Sequence, residues 1–260
     1  MKTSYFFNIP MLLILPNSQI PLFYGSYQQL ISKYCCMKRS LGILSAILAL
    51  VIFSSMNFQK PKKVIFFGDS ITQQGVGPTG YVTRIKEAIA NKGQAAQYDI
   101  IGAGIGGNKV YDLYLRMEDD VLSKNPDVVV IYIGVNDVWH KATSGTGTDA
   151  DKFEKFYIAL IKKLQDKKIK VIMCTPAVIG ERTDNSNQQD GDLNRYSQII
   201  RNLAKKYNCS LCDLRKIFIN YNLNNNPDNK ESGILTTDRV HLNEKGNQMV
   251  ADVLLDLITQ

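Results

Sequence analysis

From residue 64 onward, short apolar runs alternate with longer stretches in which apolar positions recur every three or four residues. The first run, Val64-Ile65-Phe66-Phe67, leads straight into Gly68-Asp69-Ser70. Four apolar residues closed by glycine and polar side chains read as a buried strand whose C-terminal end delivers a serine hydroxyl to the rim of a sheet. A helix is predicted over 81–91, where Val82, Ile85 and Ile89 share one face and Lys92-Gly93 stops it. Strands at 98–101, 128–133, 170–174 and 210–213 and helices over 109–122, 152–165, 193–207 and 244–257 continue the alternation. The 128–133 run is apolar on both faces and so belongs in the middle of the sheet. The polar stretch 181–192 reads as a surface loop. Alternation of this kind builds an α/β fold with a parallel sheet of about five strands, and ligands then bind at the C-terminal rim of the strands.

Upstream the pattern changes. Residues 41–53 are uncharged and apolar, preceded by Lys38-Arg39 and followed by Ser54-Ser55. That is the layout of a secretory signal. The segment is short for a membrane span, which needs about 20 apolar residues. No small-x-small site precedes Met56, which keeps an uncleaved membrane anchor through 41–53 open beside cleavage. No cysteine follows the apolar run to carry a lipid. Residues 1–36 are apolar but interrupted by Pro10, Pro16 and Pro21, which argues against one continuous helix. Met37-Lys38-Arg39 would open an ordinary signal peptide. The expected organisation is therefore an extension of doubtful standing at 1–36, a signal peptide or anchor at 37–59 and one α/β domain at 60–260, in a protein exported to the periplasm or the exterior.

The formal charge of +7 suggests a basic protein, but Lys2, Lys33, Lys38 and Arg39 all precede Met56, where there are no acids. The remainder carries 27 basic against 24 acidic residues, scattered rather than gathered in a stripe, so no nucleic-acid partner is expected. Within 60–260 there are three cysteines, Cys174, Cys209 and Cys212, an odd number that cannot all pair. Cys209-Ser210-Leu211-Cys212 has redox or metal spacing, yet in a strand residues three apart point to opposite faces. With two histidines and no second cysteine pair, neither a metal nor a cofactor is expected.

A serine hydroxyl is a poor nucleophile at neutral pH, so Ser70 needs a base, an orienting acid and oxyanion donors. The only histidines are His140 and His241. His241 follows Asp238 by three residues, which on one helical turn puts the carboxylate beside the imidazole. The bland alternative is that both cap the helix near Asn243. Asn136, just past the 128–133 strand, can point an amide N–H at an oxyanion, or can make an Asx-turn together with Asp137.

These residues fall into four blocks: Gly68-Asp69-Ser70-Ile71, a glycine after the second strand, Gly134-Val135-Asn136-Asp137 and Asp238-Arg239-Val240-His241. In order and position they resemble the SGNH (GDSL-type) hydrolases, from about Lys63 to the C-terminus. The resemblance implies a three-layer α/β/α sandwich, flavodoxin-like, with Ser70, Asp238 and His241 as the triad. It also implies an oxyanion hole made by Ser70, Gly107 and Asn136, with Gly104 the fallback for Gly107. Asp69, Asp137, Trp139 and His140 are possible cleft residues without a catalytic role.

One motif competes. Gly102-Ala103-Gly104-Ile105-Gly106-Gly107 fits the G-x-G-x-x-G dinucleotide fingerprint. A Rossmann site wants an acid at the end of the next strand, about 20 residues on. Glu118, Asp119 and Asp120 fall at that distance but within or at the end of a helix. The glycines read better as a tight loop whose backbone N–H groups approach a ligand. The function expected is thus a serine esterase acting on a small-molecule or oligosaccharide ester, with acetyl esters of sugars ahead of lysophospholipids or thioesters. A non-catalytic carbohydrate-binding protein on the same fold is the alternative of another class.

Overall fold

The computed structural model describes residues 29, 32–35, 37, 38 and 60–260. The chain divides into two compact units, 1–59 and 60–260. In the first, the described residues are helical and exposed. The apolar segment 41–53 lies outside the described residues. No helix among the described residues is long and apolar enough to cross a membrane.

The second unit opens with strand β1 (Lys62–Gly68), whose run from Val64 to Gly68 is buried throughout. Helices α1 (Ser70–Gly75) and α2 (Tyr81–Asn91) lead to β2 (Tyr98–Gly104). Then come α3 (Val110–Asp120), β3 (Val128–Tyr132), α4 (Val135–Thr143), α5 (Ala150–Asp166) and β4 (Lys170–Cys174). The chain ends with α6 (Asp190–Lys206), β5 (Ser210–Cys212), α7 (Leu214–Asn225) and α8 (Glu244–Thr259). The five strands are parallel, in the order β2-β1-β3-β4-β5. β3 is buried on both faces, as its Val128-Val129-Val130-Ile131-Tyr132 run requires of a central strand.

The chain steps from β1 to β2 in one direction, then reverses to β3, β4 and β5. Right-handed crossovers put α2 on one face and α3, α5 and α6 on the other. α8 packs against α2, completing the first layer, while α5 packs between α3 and α6 in the second. The sandwich is thus α/β/α around one sheet. The reversal places a crevice beyond the C-terminal ends of β1 and β3. Ser70 follows β1 and Asn136 follows β3, so both open onto that crevice.

Three sequence expectations change here. β2 runs on through Gly102 and Gly104, so only Ile105 to Lys109 form the turn. A Cβ on Gly104 would sit 2.1 Å from the Gln73 nitrogen and 2.7 Å from the Asp69 carbonyl oxygen. That glycine lets α1 lie against β2, a packing reason for part of the dinucleotide-like motif. α1, α4 and α7 were not anticipated: two are short, and α7 is amphipathic too weakly for a clear period. The 181–192 stretch is not wholly a surface loop, because Glu181 is buried and α6 already begins at Asp190.

Candidate active site

Ser70 is the first residue of α1, with Asp69 as its N-cap. Asp69 Oδ1 accepts the Ile71 N–H at 3.0 Å, tightening the turn that lifts Ser70 off the end of β1. The Ser70 hydroxyl lies 2.9 Å from His241 Nε2. On the far side of the ring, His241 Nδ1 lies 2.6 Å from Asp238 Oδ2. The three side chains expected to act together therefore do meet, across 171 residues between Ser70 and His241.

They meet without the helical turn expected at 238–241. The segment is a bend in which Asp238 Oδ1 accepts the N–H groups of Val240 at 3.1 Å and His241 at 2.8 Å. Arg239 takes φ +85° to make this possible. Nor do Asp238 and His241 cap the closing helix, since Asn243 does so, accepting the Gly246 N–H at 3.0 Å. Burial alone would raise the Asp238 carboxyl. Hydrogen bonds from the His241 ring and from the His241 and Val240 N–H groups outweigh it and hold the group below the usual carboxylate range.

The second wall of the crevice is the 105–109 turn. Gly107 has φ +76°, which favours glycine there, and a Cβ on it would lie 3.9 Å from the His140 ring. Lys109, nearly buried, donates from Nζ to the Gly107 carbonyl at 3.0 Å. The third wall is the start of α4. Asn136 lies in its first turn, not in a loop, and donates one amide hydrogen to the Asn108 carbonyl at 3.1 Å. An amide carries two, so a second N–H remains for a ligand.

Of the expected cleft residues, Trp139 and His140 are half-buried, and the Trp139 ring packs edge-on at 6.5 Å from the His241 ring. Burial, then the Lys109 charge, lowers the His140 pKa. Asp69 and Asp137 do not line an open surface. They are buried, and burial pushes both carboxyls up to about 7. Asp137 instead accepts the Val110 N–H at 3.2 Å, pinning the start of α3 to α4.

Two residues that hold this arrangement were not singled out from sequence. Arg116 donates from Nη2 to the carbonyls of Gly68 at 2.7 Å and Ala103 at 3.0 Å, and from Nε to Asn108 Oδ1 at 2.7 Å. It thereby clasps the ends of β1 and β2 and the 105–109 turn. Its only local signal is Asp120 four residues on, an ordinary helix pair. Glu181 accepts the N–H groups of Ile234, Leu235 and Thr236 at 2.8, 2.6 and 2.9 Å, fixing the segment that leads to Asp238. In sequence it was one more polar residue in a polar stretch.

Among curated proteins the chain is similar to an acetylxylan esterase of Geobacillus stearothermophilus, 27% identical over 218 residues, covering 77% of this chain and 95% of that protein. It is also similar to the uncharacterized lipoprotein YqeF of Bacillus subtilis, at 25% identity over 74% of this chain and 88% of that one. Among solved structures, the acetyl xylan esterase AlAXEase is 68% identical with a TM-score of 0.75, covering 75% of this chain and 99% of that chain. The profile of the GDSL-like lipase/acylhydrolase family matches residues 66–249. That span takes in the serine turn, the 105–109 turn, the start of α4 and the Asp238–His241 bend, and the chain belongs to this family of ester hydrolases.

Proposed function

We propose that the protein is a serine esterase that removes short acyl groups, acetyl above all, from carbohydrate. The observation that carries this reading is the relay from Asp238 through His241 to the Ser70 hydroxyl, at 2.6 and 2.9 Å. Its occurrence in a chain similar to two acetylxylan esterases supports the substrate class.

In this reading the Ser70 oxygen attacks the ester carbonyl carbon while His241 Nε2 takes the hydroxyl proton. The carbonyl oxygen becomes negative and accepts hydrogen bonds from the Ser70 and Gly107 N–H groups and the Asn136 amide. Collapse breaks the bond to the sugar oxygen, which leaves with the proton from His241. Water then gives one proton to the same ring as its oxygen attacks the acyl-serine carbon; collapse breaks the bond to the Ser70 oxygen, which takes that proton back from His241, and the acid leaves. Asp238 keeps the proton on Nδ1 and stabilises the imidazolium. Export belongs to the same reading, supported by Lys38-Arg39 ahead of the apolar 41–53 segment and by a relative named a lipoprotein.

The test is acetate release from acetylated xylo-oligosaccharides, run beside aryl esters of increasing chain length and a lysophospholipid. Acetylated sugars should be the best substrates, and Ser70→Ala should abolish turnover in a folded protein. A preference for long acyl chains would overturn the carbohydrate assignment.

A further inference from the structure

A second cavity, of about 180 Å³, opens between the segment after β4 and helix α7. None of its lining residues belongs to the catalytic constellation described above. Its floor is Arg215, whose guanidinium is buried and held by Asp190 at 2.6 Å, Asn194 at 2.8 Å and the Ala177 carbonyl at 3.1 Å. A guanidinium has five N–H donors, and three are committed here, leaving two. Asn222 also lines the cavity, is almost wholly buried, and its Oδ1 has no hydrogen-bond partner among the described residues. A buried amide oxygen left without a partner is destabilising, so the position favours an occupant that donates to it. Val178, Ile219 and Leu223 supply an apolar side to the same space.

The lining decides the class of occupant. Arg215 is neutralised by Asp190, and Arg182 on the rim sits 3.7 Å from Glu231. With both guanidinium charges answered by carboxylates, nothing selects a phosphate or carboxylate. What remains is a set of amide and guanidinium groups facing an apolar side, which matches a neutral ring with hydroxyls at its edge and C–H groups on its face. The volume fits one ring, since a cavity of about 150 Å³ accommodates benzene. The cavity also abuts the catalytic bend: Gly180 on its wall donates its N–H to the Arg239 carbonyl at 2.9 Å, two residues before His241.

We infer that this cavity binds a single unesterified pyranose, as a subsite separate from the catalytic centre, occupied by another sugar unit of the substrate chain. The identity of the sugar rests on the carbohydrate reading above. The polar and apolar division of the cavity does not.

The experiment titrates xylobiose into the full protein, following backbone and asparagine side-chain amide signals by NMR. It is repeated with Leu223→Trp, which fills the mouth from an exposed position, and with Asn222→Leu. Saturable shifts should appear at Gly180, Asn187 and Asn222; affinity should fall by about tenfold in Asn222→Leu, as loss of one buried hydrogen bond implies, and by at least as much in Leu223→Trp, whose indole occupies the mouth. Turnover of a small aryl acetate should be unchanged in Leu223→Trp, while KM for acetylated xylo-oligosaccharides rises and kcat holds. Absence of saturable shifts at these residues, or equal affinity in wild type and Leu223→Trp, overturns the subsite. A protein that shows the shifts but releases no acetate from any substrate retains the subsite and loses the esterase reading, so the two failures are distinguishable.

Discussion

The Asp238 carboxylate meets His241 twice, with Oδ2 2.6 Å from the ring Nδ1 and Oδ1 accepting the backbone N–H at 2.8 Å. One side chain therefore fixes both where the ring is and which nitrogen carries its proton. Because those hydrogen bonds keep the Asp238 carboxyl below the usual range, it stays ionised across the working pH. The acid limb of kcat/KM should then carry no separate carboxylate step: it rises through a single ionisation and levels off above it. Asp238→Asn preserves the shape but reverses the preferred tautomer, and should lower kcat by about 10⁴. A profile flat across this range, or an unimpaired Asn variant, would show that the acid and base are elsewhere.

The Asn136 amide places one hydrogen on the Asn108 carbonyl, which leaves the other for the proposed oxyanion. Asn136→Ala should cost about 10²–10³ in kcat with little change in KM, since the donor acts on charge that develops only in the transition state. Asn136→Asp removes the donors while keeping the size, and should be no better. Wild-type kcat in the alanine variant would remove Asn136 from the oxyanion hole.

The order of strands and helices was legible because β1, β3 and β4 are continuous apolar runs, and the helices between them keep a clear apolar stripe. The meeting of Ser70, His241 and Asp238 was legible because only two histidines exist and one stands three residues after an aspartate. What could not be read is whatever depends on backbone partners far away in the chain. Arg116 finds the Gly68 carbonyl 48 residues away, and Glu181 finds three N–H groups more than 50 residues on. The bend at Arg239 was equally hidden, because an arginine carries no sequence signal for a positive φ. Asp69 and Asp137 were possible cleft residues by sequence, whereas both point inward to helix starts.

Those two buried carboxyls give the stability of the protein a pH dependence of unusual sign. Each titrates at about 7 when folded, against roughly 3.9 for an aspartate in an unfolded chain. Between these values the folded state keeps protons that the unfolded state has released, so stability falls as pH rises from about 4 to about 7 and is level above. Asp238 works the other way, with its contribution present above about 4 and lost as pH falls below. Urea midpoints should therefore be higher at pH 5 than at pH 8, by stability differences on the order of 2 kcal/mol or more. Asp69→Asn and Asp137→Asn should each flatten that slope. Equal midpoints at the two pH values in the wild type would mean that neither carboxyl is protonated in the fold.

Arg239 bears the strain of the Asp238–His241 bend, with φ +85°. Its carbonyl is held by the Gly180 N–H at 2.9 Å, and its Nε lies 2.8 Å from Glu231 Oε1, an ion pair whose angles are not those of a hydrogen bond. Replacing it tests how much the backbone costs. Arg239→Ala and Arg239→Gly both lose the ion pair, so the difference between them isolates the conformation. A side chain at such a φ costs about 1–2 kcal/mol, and glycine avoids this while costing about 0.5–1 kcal/mol in unfolded-chain entropy. The glycine variant should therefore be the more stable of the two, by a fraction of a kcal/mol up to about 1, in urea unfolding at fixed pH. Its kcat should stay near wild type, because Asp238 still accepts both N–H groups of the bend, whereas the alanine variant should match that kcat with a lower midpoint. If alanine proved as stable as glycine, the positive φ would not be strained, and the bend would be the relaxed conformation of this segment.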